Sequence, residues 1–213
     1  MNGPPSTDLP YEVLMKIQQG AMAYRYRGVP LLKDPFDLAL YPMLLERARP
    51  RTIIEIGSYA GGSAMWLADQ AALIGLDLRV HSIDRQPPAG VAHPSVAFLQ
   101  GDARDLGRTL TSSFLESIDR PLLVIEDSDH LAVTTAAVLE FFQAWLRPGE
   151  YICIEDGILT AMRAEDRYDG GPLRAIRDFL ARSGGRFEVD RSLCDYFGHN
   201  VTWNVDGYLR RVS

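Results

Sequence analysis

Cysteine is scarce: Cys153 and Cys194 are the only two among 213 residues. Cys153 sits inside an apolar run and Cys194 lies far along the chain, so the sequence offers neither a disulfide framework nor a CxxC metal site. Two unpaired thiols suit a reducing compartment. Long apolar runs are also missing. No stretch approaches the ~18 apolar residues of a membrane-spanning helix, and the first eight residues lack a basic segment followed by an apolar one. A cytoplasmic location is therefore expected. Excess positive charge is lacking too: a formal net charge of -6 gives no electrostatic reason to expect nucleic acid or an anionic membrane. The expected partner is a small molecule. With no internal repeat, low-complexity tract or linker-like shift in composition, one domain over 1–213 is expected, with 1–48 as an N-terminal helical cap region.

What is present is enough apolar material, 46% of residues, for a substantial core. Residues 1–8 read as a flexible leader. The apolar positions Val13, Leu14, Ile17, Met22 and Tyr24 predict a helix from Leu9 to about Tyr26 that tolerates Gly20 and is closed by Gly28-Val-Pro30. A second helix follows, with Asp34 as its N-cap and Pro35 in its first turn. The two can cover a ligand or simply pack on a sheet. From Arg51 onward, short β-branched runs alternate with helical stretches, which predicts a parallel α/β sheet. Strands fall near 52–56, 79–83, 96–100, 121–126 and 150–155, and helices near 62–74, 131–146 and 172–183. The alternation then stops. Residues 186–190 and 201–211 read as two strands with no helix between them, an antiparallel pair closing the sheet.

Chemistry concentrates at the ends of the predicted strands. Thr52-Ile-Ile-Glu55-Ile-Gly57-Ser-Tyr59-Ala-Gly61-Gly62-Ser63 is a strand, a glycine-rich turn and a helix start, the arrangement that seats a nucleotide-like ligand. Gly57 permits a tight turn, Gly61 and Gly62 permit close backbone approach, and Ser63 can donate near the helix N-terminus. A dinucleotide fingerprint needs Gly-x-Gly-x-x-Gly, but Tyr59 stands where the middle glycine would approach a pyrophosphate. Glu55 adds negative charge there, which disfavours a pyrophosphate and suits the amino group or sulfonium of S-adenosylmethionine. Asp84, 27 residues after Gly57, ends the next strand, where a carboxylate can accept from both hydroxyls of a ribose. Asp102 ends the strand after that, and can accept from an adenine amino group or cap a helix.

Two later strands each end in acids: Leu122-Leu-Val-Ile-Glu126-Asp127-Ser-Asp129-His130 and Tyr151-Ile-Cys-Ile-Glu155-Asp156. Asp127, Glu155 and Asp156 gathered at one edge would repel one another by about 4 kcal/mol per pair at ~4 Å and an effective dielectric of ~20. A cation is expected between them, and hard oxygen donors suit Mg²⁺, with Mn²⁺ or Ca²⁺ as substitutes. Glu126 points to the opposite strand face and is left out. His130, three residues after Asp127, can take the proton of a hydroxyl held at the metal. His199, in the loop Asp195-Tyr-Phe-Gly-His199-Asn200, can line a substrate site.

Taken together, Gly28-Val-Pro-Leu-Leu-Lys33-Asp-Pro35-Phe-Asp37, the Glu55–Ser63 loop, Asp127-Ser-Asp-His130, Pro148-Gly-Glu-Tyr-Ile-Cys-Ile-Glu155-Asp156 and Asn204-Val-Asp-Gly207-Tyr-Leu resemble the cephalosporin hydroxylase family. That family is a branch of the class I S-adenosylmethionine-dependent methyltransferases and includes sugar O-methyltransferases of antibiotic pathways. The resemblance covers roughly residues 20 to 210. It implies a Rossmann-like, seven-strand, mostly parallel sheet with an antiparallel last strand and helices on both faces. It further implies a divalent metal at Asp127, Glu155 and Asp156, a general base at His130 and self-association. The expected activity is S-adenosylmethionine-dependent, Mg²⁺-assisted O-methylation of a sugar, polyketide or phenol hydroxyl. A NAD-dependent oxidoreductase and a noncatalytic adenosyl-ligand-binding protein are the competing expectations.

Overall fold

The computed structural model describes residues 6–213. Most of the predicted leader lies outside the described residues, but its last residues are tied down: the buried Thr7 hydroxyl donates to the Asn200 carbonyl, and the Asp8 N–H donates to the His199 carbonyl at 2.9 Å. Helix α1 spans Tyr11–Ala23. A two-residue hairpin, β1 Arg25–Tyr26 with β2 Val29–Pro30, turns through Arg27 and Gly28, both at positive φ. Helix α2, Asp37–Ala48, is started as expected by Asp34, whose carboxylate accepts from the N–H groups of Phe36 and Asp37 at 2.8 and 3.3 Å. Those donors have no partner within the helix.

The alternating region forms β3 Thr52–Ile56, α3 Gly62–Leu73, β4 Arg79–Asp84, β5 Val96–Gln100, α4 Ser112–Ser117, β6 Leu122–Glu126, α5 Ala132–Phe142, β7 Tyr151–Ile154 and α6 Gly171–Arg182. It closes with β8 Phe187–Val189, the one-turn α7 Arg191–Cys194 and β9 Tyr208–Arg211. The sheet order is β5-β4-β3-β6-β7-β9-β8. Strands β3 to β7 pair in parallel, and β9 runs antiparallel to both its neighbours. This is the expected seven-strand sheet. No helix among the described residues is long and apolar enough to cross a membrane.

Strand periodicity divides the core. Ile53, Leu123, Ile125 and Cys153 face one way, onto α2 and α3 through Leu40, Tyr41, Leu44 and Leu67. Ile54, Val124, Ile152 and Ile154 face the other, onto α5 and α6 through Val138, Phe142, Ile176 and Phe179. All these side chains are buried, and each Val, Leu, Ile or Phe among them contributes about 1.5–3 kcal/mol relative to exposure. Helix α1 instead packs on a third cluster: Leu14 and Ala21 meet Ile158, Met162, Trp203 and Val205.

Register then sets the site. Ile56 lies opposite Ile83 and Glu126, and Glu126 lies opposite Ile154. The residues that follow, Gly57, Asp84, Asp127 and Glu155, therefore leave the sheet along one edge. Chain order reverses between β3 and β6, and such a switch point opens a crevice at the carboxyl ends of the strands.

The closing strands depart most from expectation: the one-turn α7 lies between them, and the second is much shorter than predicted. Strand β9 occupies 208–211 instead of 201–211 because residues 201–207 are diverted into turns by buried carboxylates. The Trp203 N–H donates to Asp37 at 3.1 Å, Thr202 donates to Asp37, and Asn204 reaches the Tyr208 hydroxyl at 3.1 Å. These contacts replace a strand ladder. The pivot is Gly207, where a Cβ would lie 2.1 Å from the Ile154 carbonyl oxygen.

Candidate active site

Two adjoining cavities open at the switch point and share Gly57, Tyr59, Asp127 and Ser128 in their walls. The smaller, about 190 Å³, is lined by Asp84, Gly101 and Asp102 from the ends of β4 and β5. The larger, about 320 Å³, is lined by Ser63, His130 and Asp156, with Gln18 and Met22 of α1 along one side. Helix α1 thus contributes to the wall of the larger cavity, while α2 packs on the sheet.

The glycine loop is fixed by what surrounds it. Gly57 has φ +104, and a Cβ there would fall 1.9 Å from the Asp127 carbonyl oxygen. Only glycine lets β3 and β6 end this close together. Tyr59 is held at φ +45 and is 66% exposed, and its N–H donates to Asp84 at 3.0 Å. Asp84 also accepts from the Gln86 N–H at 2.9 Å, so the loop and the acid are locked together. Asp102 accepts from the Arg104 N–H at 2.9 Å while facing the smaller cavity.

Glu55 does not line either cavity. It is fully buried beneath the loop, where it accepts from Ser82, and Ser82 in turn pairs with Ser58 at 2.7 Å. Among the described residues its other oxygen, Oε1, and the Ser63 hydroxyl lack a well-formed hydrogen bond, although Ser63 lies near enough to favour the charged carboxylate. Burial raises the Glu55 carboxyl, and the charge of Lys33 opposes that rise.

Among the described residues, Asp127, His130 and Asp156 each offer a donor atom within 4.8 Å of the others. His130 and Asp156 both sit in left-handed backbone, at φ +59 and +58, and His130 Nδ1 lies 3.1 Å from Asp156 Oδ2. Each such conformation costs a non-glycine residue on the order of 1 kcal/mol or more and persists only where surroundings impose it. Burial raises the carboxyls of both acids; Lys33 lowers Asp127, and His130 lowers both. Asp129 instead accepts from Leu131 N–H and Thr134 at the start of α5.

Glu155, grouped with Asp127 and Asp156 in the sequence, turns back into the protein. Both its oxygens lie 2.7 Å from Lys33 Nζ, and one also accepts from the Tyr41 hydroxyl. Lys33 Nζ is 3.2 Å from Asp127 as well. Burial disfavours that ammonium, but Glu155, Asp127 and Glu55 more than offset it and hold Lys33 above its ordinary range. Burial, reinforced by Asp127, pushes Glu155 up to about 8. Sequence reading missed Lys33 and Tyr41 as parts of the site. The available signal was that Lys33 is one of two lysines in the chain and lies in the motif before α2. Trp203 and Tyr168, also in the cavity wall, carried no signal. His199 is not in that wall; its N–H is held by Asp8 at 2.8 Å on the outside of the fold.

The donor chemistry fits a divalent ion. Asp127 and Asp156 offer hard oxygen donors beside an imidazole, all within 4.8 Å of one another, with Glu155 next to them on Lys33. The smaller cavity, with Asp84 and Asp102 in its wall, could hold a ribose and a base.

Sheet order, switch-point cavities and glycine loop define a class I methyltransferase. A family model described as "Rhamnosyl O-methyltransferase/CmcI" matches residues 18–212, and the chain belongs to that family. It is 27% identical over 196 residues to a rhamnosyl O-methyltransferase of Mycobacterium leprae (strain TN), covering 87% of this chain and 82% of the relative. An apo structure of CmcI superposes with a TM-score of 0.69 at 30% identity, covering 90% of this chain and 77% of that one. A Mg-SAM structure of CmcI gives a TM-score of 0.66 at 30% identity, with 90% and 78% covered.

Proposed function

We propose that the protein is an S-adenosylmethionine-dependent, divalent-metal-assisted O-methyltransferase acting on a hydroxyl of a small molecule. The observation that carries this reading is the shared wall: Asp127 belongs both to the donor group with His130 and Asp156 and to the cavity of the glycine loop. When bound, the donor supplies an electrophilic methyl group and Mg²⁺ supplies a Lewis acid that lowers the pKa of the acceptor hydroxyl.

The chain's residues do the rest. Asp127 and Asp156 would hold the ion, with Glu155, now on Lys33, beside them as the third carboxylate of the set. Asp156 orients His130 through Nδ1, so that Nε2 can take the hydroxyl proton. Asp84 accepts from the donor's ribose and Asp102 from its adenine, while Gly57, Tyr59, Gly61 and Ser63 shape the loop around it. Glu55 acts from beneath, through Ser82 and Ser58. Holding both reactants in adjoining cavities replaces a bimolecular encounter.

Leu159, Met162, Tyr168 and Trp203 give the larger cavity an apolar wall, suited to a ring with one apolar face such as a deoxysugar. The relatives' name, rhamnosyl O-methyltransferase, makes rhamnosyl glycosides the first acceptors to assay. Tyr59, at the junction of the two cavities, disfavours a dinucleotide. Self-association, implied by resemblance, belongs to this proposal.

The test is turnover with labelled S-adenosylmethionine and a panel of rhamnosides and phenols. Chelator should abolish methyl transfer and added Mg²⁺ should restore it; full activity after verified metal removal would defeat the metal role. In calorimetry, Asp84→Ala should weaken donor binding by about tenfold or more, since hydrogen bonds to a charged group contribute about 1.5–3 kcal/mol. An unchanged Kd would move the ribose elsewhere.

A further inference from the structure

Among the described residues Lys33 is the one ammonium inside the acid cluster, and nothing in the transfer reaction described above uses it. Its side chain is 1% exposed, a position that a lysine tolerates only when fully paired. The pairing comes from two strands at once: both oxygens of Glu155, after β7, at 2.7 Å, and Asp127, after β6, at 3.2 Å. The segment that delivers it is pinned at both ends. The Leu31 N–H donates to the Tyr24 carbonyl at 3.2 Å, and Asp34 caps α2 and accepts from the Trp203 N–H at 3.3 Å. The ammonium therefore cannot swing away cheaply, and it forms part of the cavity wall beside Asp127 and Asp156.

We propose that Lys33 is a positioning residue that sets the divalent-ion affinity of the site. When no ion is bound, its charge holds Glu155 and Asp127 together against their mutual repulsion, so the cluster is formed in advance. When an ion is bound, the same charge repels it across a shared ligand, Asp127. The ion is consequently held loosely enough to exchange. Loss of the pre-formed cluster alone would lower metal affinity on removal of Lys33; removal of the resident like charge raises it, and the second effect is the larger.

This inference rests on the metal-assisted reading of the site. The test is titration of the full-length protein with Mn²⁺, followed by electron paramagnetic resonance, for the wild type, Lys33→Met and Lys33→Gln. Both neutral variants should bind Mn²⁺ at least tenfold more tightly than the wild type. Their melting temperature in chelator should fall, and Mn²⁺ should raise it by more than it raises that of the wild type. A variant that folds only with Mn²⁺ present also supports the proposal. Equal or weaker Mn²⁺ binding by a folded variant, with S-adenosylmethionine affinity retained, overturns it. Failure of the wild type to bind Mn²⁺ is a different result, and removes the metal reading itself.

Discussion

Asp127→Asn should lower turnover by about 10³-fold, roughly 4 kcal/mol of barrier, while donor affinity changes little. Asp127 is the residue on which the site converges. It follows β6, belongs to both cavity walls and the donor group, and touches Lys33. Asparagine keeps the shape and one oxygen but removes the charge that a divalent ion requires, and Lewis-acid assistance is commonly worth several kcal/mol. The backbone should be indifferent, because the Asp127 N–H donates to the Ile56 carbonyl at 2.8 Å whatever the side chain. Lys33 retains Glu155 at 2.7 Å, so the variant should fold. The measurements are kcat with saturating Mg²⁺, Mn²⁺ binding and calorimetry with S-adenosylmethionine. A kcat within tenfold of the wild type would place the ion elsewhere.

His130→Ala should reduce kcat by roughly 10²-fold or more, the usual scale for losing a positioned general base. The side chain reaches the cavity from a left-handed backbone conformation, with Nδ1 on Asp156 and its ring edge-on to Tyr168 at 5.7 Å. Alanine also tolerates that backbone poorly, so donor affinity serves as a check on the loop. Because His130 lies within donor reach of Asp127 and Asp156, two roles are separable. If it is the base, added imidazole restores part of the rate and Mn²⁺ affinity is unchanged. Mn²⁺ affinity weakened tenfold, with no imidazole rescue, would make it a ligand instead.

Much of this was legible in the chain. β-Branched runs separated by helical periods determined the parallel sheet, and the Glu55–Ser63 turn marked its ligand edge, because strand and turn preferences act over a few residues. The acids at 84, 102, 127, 155 and 156 could be placed at strand ends for the same reason. What the sequence by itself determined is therefore which residues arrive at the edge of the sheet, since register and the period of two settle that locally.

Only the tertiary structure decided what each arriving side chain does. Glu155 and Asp156 are adjacent, yet Glu155 is captured by Lys33, 122 positions away, and Asp156 is left facing His130. Residues 201–207 read as strand, yet Asp34 and Asp37, more than 160 positions distant, take the donors of Thr202 and Trp203. In each case a buried charge must find an opposite charge or a donor in a medium of low dielectric. That requirement is met by whatever the fold brings near, and local sequence pattern carries no record of it.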